Sequence, residues 1–328
     1  MRRWTALVLA LSLVLAPAAL AQQAQPWKPE VKFLKFGVAT AGGDWFRAGA
    51  KFTTMMPEVL PGVSANTLMG GGVVNVTRVG KGEAQLAFAS TPYPEHGFHG
   101  KGDYKEPFKN IRLVASNLGK PIVVALFVLK DSPIQTIQDL KGKRIVPGDR
   151  GWATTVLAEA MMAAAGLPPD RFKADGGIIS YTSITDRSKA LQDRNVDAIF
   201  IPAPVTYPDL MVVQQAIGLR AIPIPRDVVD RTLAVVPGTF RASVTKGLYG
   251  VIGDGYESPA FLQQFIVDAG LSDELVYRVT KLWWERIKDI GEVAPLFAGA
   301  DVRIAMEGAT IPFHPGALRY YKEIGVAR

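Results

Sequence analysis

Val31-Lys32-Phe33-Leu34-Lys35-Phe36-Gly37-Val38-Ala39-Thr40-Ala41-Gly42-Gly43-Asp44-Trp45 is the stretch on which the fold turns. Its alternation up to Val38 predicts a buried strand. A glycine loop follows. From Asp44 onward apolar residues recur at helical spacing: Trp45, Phe46, Ala48, Gly49, Phe52, Met55 and Met56. Asp44 suits the helix N-cap, and Pro57 and Pro61 bound its end. Residues 63–68 form a second predicted strand. Val73, Val74, Val76 and Val79 mark one stripe of a second helix, and residues 84–89 a third strand. Strand–helix–strand–helix–strand implies parallel pairing and an α/β sheet.

The same grammar returns further along. Residues 111–116 and 121–130 are strands. A new unit runs from a strand at 143–146 through the loop Pro147-Gly148-Asp149-Arg150-Gly151 to a helix over 152–165. Gly166 closes that helix, and Pro168-Pro169 stop it. Strand, helix and strand then follow at 177–181, 184–192 and 196–201. After Ile222-Pro223 the pattern changes. Residues 261–268 favour a strand, and 272–290 a long amphipathic helix capped by Ser272-Asp273-Glu274. Two lobes are expected. Lobe I takes residues 31–130 plus 223–328 and lobe II takes 131–222, with hinges near Lys130 and Ile222. The 328 residues suffice for two lobes of roughly 100–180 residues each.

The N-terminus reads differently. Arg2 and Arg3 precede an apolar run over residues 6–16, and Ala19-Leu20-Ala21 fits a small-x-small cleavage site. A secretory signal peptide over 1–21, cut after Ala21, is the expectation, and with it a periplasmic location. Pro17 and the shortness of the run argue against a membrane anchor. Residues 22–30 read as a flexible tether. Cysteine is absent, which excludes thiol catalysis and thiolate metal sites and leaves stability to the core. The net charge of +7 comes from scattered residues, two of them in the signal, without the basic patch that nucleic acid would require.

Three strand-to-helix junctions carry the candidate chemistry: Thr40-Ala41-Gly42-Gly43-Asp44-Trp45, Gly70-Gly71-Gly72-Val73-Val74-Asn75, and Gly148-Asp149-Arg150-Gly151-Trp152-Ala153-Thr154. In a parallel α/β lobe such junctions gather at the carboxyl edge of the strands. There glycines admit a ligand to the backbone, and helix N-termini offer free N–H groups to a carboxylate. Glycine also serves simply to permit tight turns. Ser90-Thr91 follows the third strand and would point hydroxyls at the same place. Asp44 is either an ordinary cap or a holder for a ligand ammonium. Arg150 is either solvated or a fork for a carboxylate. Trp45 and Trp152 occupy matching places after their loops, as ligand covers or as core. A zwitterionic amino acid, its ammonium on Asp44 and its carboxylate on Arg150, is the ligand this pattern suggests over a plain dicarboxylate.

Enzyme signatures do not emerge. There is no G-x-S-x-G elbow, no phosphate-binding G-x-x-x-x-G-K and no G-x-G-x-x-G after a strand. Of three histidines, His96 and His99 lie in a glycine-rich stretch read as a loop and His314 in a Pro-rich turn, so no metal site is expected. No cofactor and no catalytic residue is expected either. The chain is read as a non-enzyme.

These segments together resemble the TAXI family of extracytoplasmic solute receptors, which serve tripartite ATP-independent periplasmic (TRAP) transporters. The opening loop and helix at 38–49 are similar to that family's T-G-G-T start. Pro61-Gly62-Val63 with Gly70-Gly71-Gly72-Val73-Val74-Asn75 resembles P-G-V and T-G-G-S-V-E-N. Gly82-Glu83-Ala84-Gln85-Leu86-Ala87-Phe88 resembles G-E-A-D-L-A-L, and Asp139-Leu140-Lys141-Gly142-Lys143-Arg144-Ile145 resembles D-L-K-G-K-R-V. The strand Val196-Asp197-Ala198-Ile199-Phe200 also matches. Leu271-Ser272-Asp273-Glu274-Leu275-Val276-Tyr277 resembles L-P-D-E-L-V-Y, and Pro312-Phe313-His314-Pro315-Gly316-Ala317 with Tyr320-Tyr321 resembles the P-L-H-P-G-A and Y-Y ending.

The resemblance implies a type II periplasmic-binding fold: two α/β lobes joined by a hinge, with a ligand cleft between them. It implies a small organic acid or acidic amino acid of the glutamate or 2-oxoglutarate class, bound by lobe closure, and membrane subunits of a TRAP transporter as partners. A monomer is expected. By position the ligand loops map to Thr40, Gly42, Gly43, Gly72, Ser90 and Thr91. Two departures stand out. Asp44 replaces a common Thr or Val. The second-lobe loop, commonly P-G-S-G-T, has Asp149, Arg150 and Trp152, with hydroxyls displaced to Thr154 and Thr155. The alternatives are a receptor of a tricarboxylate or ABC-type system, or a sensing partner of a membrane kinase.

Overall fold

A computed structural model describes residues 27–41, 43–203 and 206–328. The signal-peptide expectation, most of the tether and Gly42 lie outside them. The strands are β1 Phe33–Val38, β2 Ser64–Met69, β3 Leu86–Ser90, β4 Ile111–Ala115, β5 Ile122–Leu129, β6 Arg144–Gly148, β7 Ile178–Tyr181, β8 Ala198–Pro202, β9 Leu219–Ile222, β10 Phe240–Ser243, β11 Glu257–Phe261 and β12 Gln263–Asp268. The helices are α1 Asp44–Met55, α2 Gly72–Gly80, α3 Tyr93–His99, α4 Ala153–Ala164, α5 Pro169–Ala174, α6 Ile184–Gln192, α7 Pro208–Ala216, α8 Arg226–Val235, α9 Asp273–Glu285, α10 Ile287–Val293 and α11 Pro315–Glu323.

They build two sheets. The first has the order β2-β1-β3-β12-β4. Its β1, β2 and β3 run parallel as expected, and β12 runs antiparallel between β3 and β4. Phe36, Phe52, Phe88, Phe265 and Trp283 interlock in its core, with Phe36 stacked 5.1 Å from Phe265 and Trp283 edge-on 5.2 Å from Phe52. Such rings contribute roughly 0.5–1.5 kcal/mol per pair beyond burial. The second sheet has the order β10-β11-β5-β8-β6-β7, with β9 on β5.

The lobe boundaries fall elsewhere than expected. Residues 122–129 belong to the second sheet, where β5 pairs with β8, β9 and β11. The segment after Ile222 also stays there, since α8 packs on α4 and β10 and β11 extend that sheet. The chain therefore crosses between sheets at residues 116–121 and at Leu262, and not at Lys130 and Ile222. The crossovers are tied together. Leu118 N–H donates to the Gln263 carbonyl at 3.1 Å, and Gln264 Nε2 donates to Ser116 Oγ at 3.0 Å. The reason is that β5 is apolar and buried at every position, so its pattern suits either sheet. Only its distant partners decide.

Three local expectations also shift. Residues 93–99, read as loop, form α3, with Pro94 in its first turn and Gly100 left-handed at its C-cap. The helix over 272–290 breaks at Arg286 into α9 and α10. The described end of the tether is docked: Ser272 donates N–H and Oγ–H to Glu30 at 2.8 and 2.9 Å, and the Arg278 guanidinium lies over Trp27.

Candidate functional site

The glycine turns of the two lobes meet. A Cβ on Gly71, just before α2, would stand 2.8 Å from the Trp152 indole nitrogen across the cleft. One on Gly72 would stand 3.2 Å from the Gly151 carbonyl oxygen and 2.3 Å from the buried Tyr93 ring. Gly238, in the second lobe, faces Pro92 and Thr91 in the same way. Asn75 shapes the floor on the first lobe. Fully buried in α2, it donates Nδ2–H to the carbonyls of Val38 and Phe88 at 3.1 and 2.9 Å, which splices the carboxyl ends of β1 and β3.

The expected site residues divide. Thr40 is exposed, and its carbonyl accepts the Gly43 N–H at 3.3 Å. The N-cap of α1 is Gly43, not Asp44. Asp44 opens the helix, and its carboxylate accepts from Arg47 and, at 2.9 Å, from the Leu296 N–H. Trp45 is core: it lies 5.7 Å from Phe88 and donates its indole N–H to Gln263 Oε1 at 2.5 Å. Trp152 is itself the N-cap of α4, two positions before the place that would match Trp45, and stays half-buried against Gly71. Ser90 is buried at the end of β3 opposite Gln263. Thr91 binds the hinge: its N–H donates to the Leu262 carbonyl at 3.0 Å, and its Oγ accepts the Leu262 N–H at 3.1 Å. The Arg150 guanidinium lies over the Tyr181 ring at 3.9 Å, and the Tyr181 hydroxyl donates to Glu159 at 2.6 Å. Thr154 is buried in the first turn of α4.

Sequence reasoning missed the charges beneath the second-lobe loop. Arg187, on α6, is 1% exposed and donates Nη1–H to the Phe200 carbonyl at 3.0 Å. Desolvation pulls its pKa down to about 10, against the opposing field of Asp149. Burial pushes the Asp149 carboxyl up, and Arg187 partly offsets this. Burial also raises the Tyr207 phenol, with Tyr249, then Asp44 adding to the rise, while Arg187 and Arg47 act against it. The Tyr207 hydroxyl therefore feels groups from both lobes. A helix N-terminal Arg two residues after Thr185 carries no sign of burial in its own neighbourhood, so no local signal could have found it. Gln263 was missed for the same reason: it is 1% exposed and its Nε2 has no hydrogen-bond partner.

Other features lie apart from this place. A cavity of about 120 Å³ sits at the amino edge of β6 and β8; of its lining residues Arg194 pairs with Asp131, and Asp197 pairs with Arg144 beside it. Among the described residues no group of three His, Asp or Glu side chains is placed to hold a metal, and no helix is long and apolar enough to cross a membrane.

Two α/β lobes, two tied crossovers and facing glycine turns define a bilobal fold of the periplasmic-binding class. The chain belongs to the NMT1-like family, whose model matches residues 36–325. Solved structures similar to it include the periplasmic aliphatic sulphonate binding protein SsuA from Escherichia coli, with 16% identity and a TM-score of 0.47 over 82% of this chain and 77% of that one. The alkanesulfonate-binding protein SsuA from Xanthomonas axonopodis pv. citri, bound to MOPS, shows the same identity and TM-score over 81% of each chain. A putative L-cystine ABC transporter protein from Listeria monocytogenes has 16% identity and a TM-score of 0.47, covering 83% of this chain and 98% of that one.

Proposed function

We propose that this chain is a periplasmic solute receptor that closes its lobes on a small organic anion and delivers it, unchanged, to the membrane subunits of a TRAP-type transporter. The observation that carries the reading is the meeting of the turns at Gly71–Gly72 and Gly151–Trp152 across a hinge of two crossovers. Helix N-termini of α2 and α4 open onto these turns, and their N–H groups favour negative charge. Closure is then driven by the ligand's greater affinity for the closed arrangement. In this reading Gly43 and Gly72 present backbone, Ser90 and Thr154 present hydroxyls, and Trp152 covers the ligand. The Asp44 carboxylate is engaged by Arg47 and Leu296, which removes the reason to favour an amino acid over a plain carboxylate. The TRAP assignment rests on the TAXI-like motifs.

Native mass spectrometry of protein freshly released from the periplasm is expected to show a co-purified small acid. Purified protein without any such molecule, and without thermal stabilisation by a panel of organic acids, would end the reading. Uptake of the identified ligand should stop when the ion gradient is collapsed. Uptake that survives this and stops on ATP depletion would assign an ABC-type transporter instead.

A further inference from the structure

Arg187 stands in the first turns of α6, after the Ser183 cap, and its side chain runs beneath the loop that ends β6. A guanidinium has five N–H donors and keeps its charge at any ordinary pH. Here Nη1 meets the Phe200 carbonyl, while Nε is buried with no partner. None of the ion pairs among the described residues includes it, although Asp149 lies within electrostatic reach. The charged and titratable groups that act on it are Asp149 and Tyr207. Proteins rarely bury such a charge without pairing it, because desolvation is costly.

The end of β6 packs closely against the guanidinium. Gly148 ends β6 with φ +145°, where a side chain is strained, and a Cβ there would stand 3.1 Å from Arg187 Nη1 and 2.5 Å from Thr155 Oγ1. Gly148 leads into the loop whose Trp152 meets Gly71. The under-compensated cation therefore sits at the carboxyl edge of β6 and β8, under the closing turn.

We infer that Arg187 is the charge that receives the ligand's carboxylate, at the end of β6 where Gly148 keeps the backbone close to it. This rests on the receptor reading and deepens it. One cation partly offset by Asp149 suits a compact monocarboxylate, or one carboxylate of a longer acid whose other end reaches the helix N-termini of the first lobe. Such a group takes two parallel N–H bonds from the fork, which Lys cannot offer.

The test compares wild type, Arg187→Gln and Arg187→Lys by thermal shift and calorimetry with pyruvate, 2-oxoglutarate and L-glutamate, and with glucose and urea as neutral probes. At least one acid should bind wild type. Arg187→Gln should bind it at least about 100-fold more weakly and Arg187→Lys should fall between. Without ligand, the melting temperature of Arg187→Gln should equal or exceed that of wild type, since a poorly paired buried charge is removed. Four results overturn the inference. If Arg187→Gln binds as wild type does, or if wild type answers only to neutral probes, the inference falls and the receptor reading stands. If both variants fail to fold, Arg187 is a structural post. If wild type binds no probe and carries no co-purified molecule, both readings fall together.

Discussion

The Trp152 indole of the second lobe rests against Gly71 of the first, so near that a Cβ on Gly71 would come within 2.8 Å of its ring nitrogen. In the proposed closure these two residues meet, so the fit of one limits the other. Gly71→Val is expected to leave unliganded stability within about 1 kcal/mol, because the obstruction lies across the cleft and outside its own lobe. Affinity for the co-purified ligand should fall about tenfold or more, equal to roughly 1.4 kcal/mol. Trp152→Ala in the same background should recover part of that loss in a double-mutant cycle. Calorimetric titration reads both. Independent, additive losses would mean that the turns do not close on one another.

Asn75 joins two strand ends through Val38 and Phe88. Asn75→Ala should cost about 2–4 kcal/mol, since two buried carbonyls lose their donor at once. Urea unfolding measures it. A cost below about 1 kcal/mol would show that the splice is dispensable.

Thr91 accepts the Leu262 N–H at the crossover. Thr91→Val keeps the shape and removes the acceptor, and should cost about 1–2 kcal/mol for a buried N–H left unpaired. Amide exchange at Leu262 should quicken. Unchanged protection there would place the hinge constraint elsewhere.

His314 caps α11: Nδ1 accepts the Gly316 N–H and Nε2 faces the Leu271 carbonyl, both at 3.1 Å. This fits the neutral ring. Burial lowers its pKa below 6.5, only partly opposed by Asp273. A base whose folded value is depressed contributes stability that is complete above its unfolded value and is lost as pH falls through the folded one. Urea midpoints should therefore drop from pH 7.5 to pH 5. His314→Asn, which can still cap through its side-chain oxygen, should show a shallower drop. An equal slope in both proteins would assign the pH dependence to other groups.

The P-L-H-P-G-A-like ending shows how a motif can be legible without its cause. Residues 312–317 stand out in the sequence. In the structure Leu113 and Pro312 bond through their backbones, and a Cβ on Gly316 would fall 2.2 Å from the Asp273 carbonyl. That segment secures the first lobe and lies apart from the turns that face the cleft. The glycine turns at 70–72 and 148–152 were readable as junctions, and the structure brings them together. The burial of Arg187 was not readable, because Ile184–Gln192 has the composition of an ordinary surface helix.

What the sequence determined alone was the run of elements: the alternation from Val31 to Val38, the helical stripes of α1 and α2, and the strand character of 261–268, which the structure divides at Leu262 between β11 and β12. Period and capping are properties of neighbours along the chain, so they survive without a partner. Tertiary structure alone decided which sheet received β5, β10 and β11, where the two crossovers lie, and that Asp44 would serve Leu296 while Arg187 went inside. Strand partners and the burial of a charge depend on residues far apart in sequence, whose meeting no local pattern records.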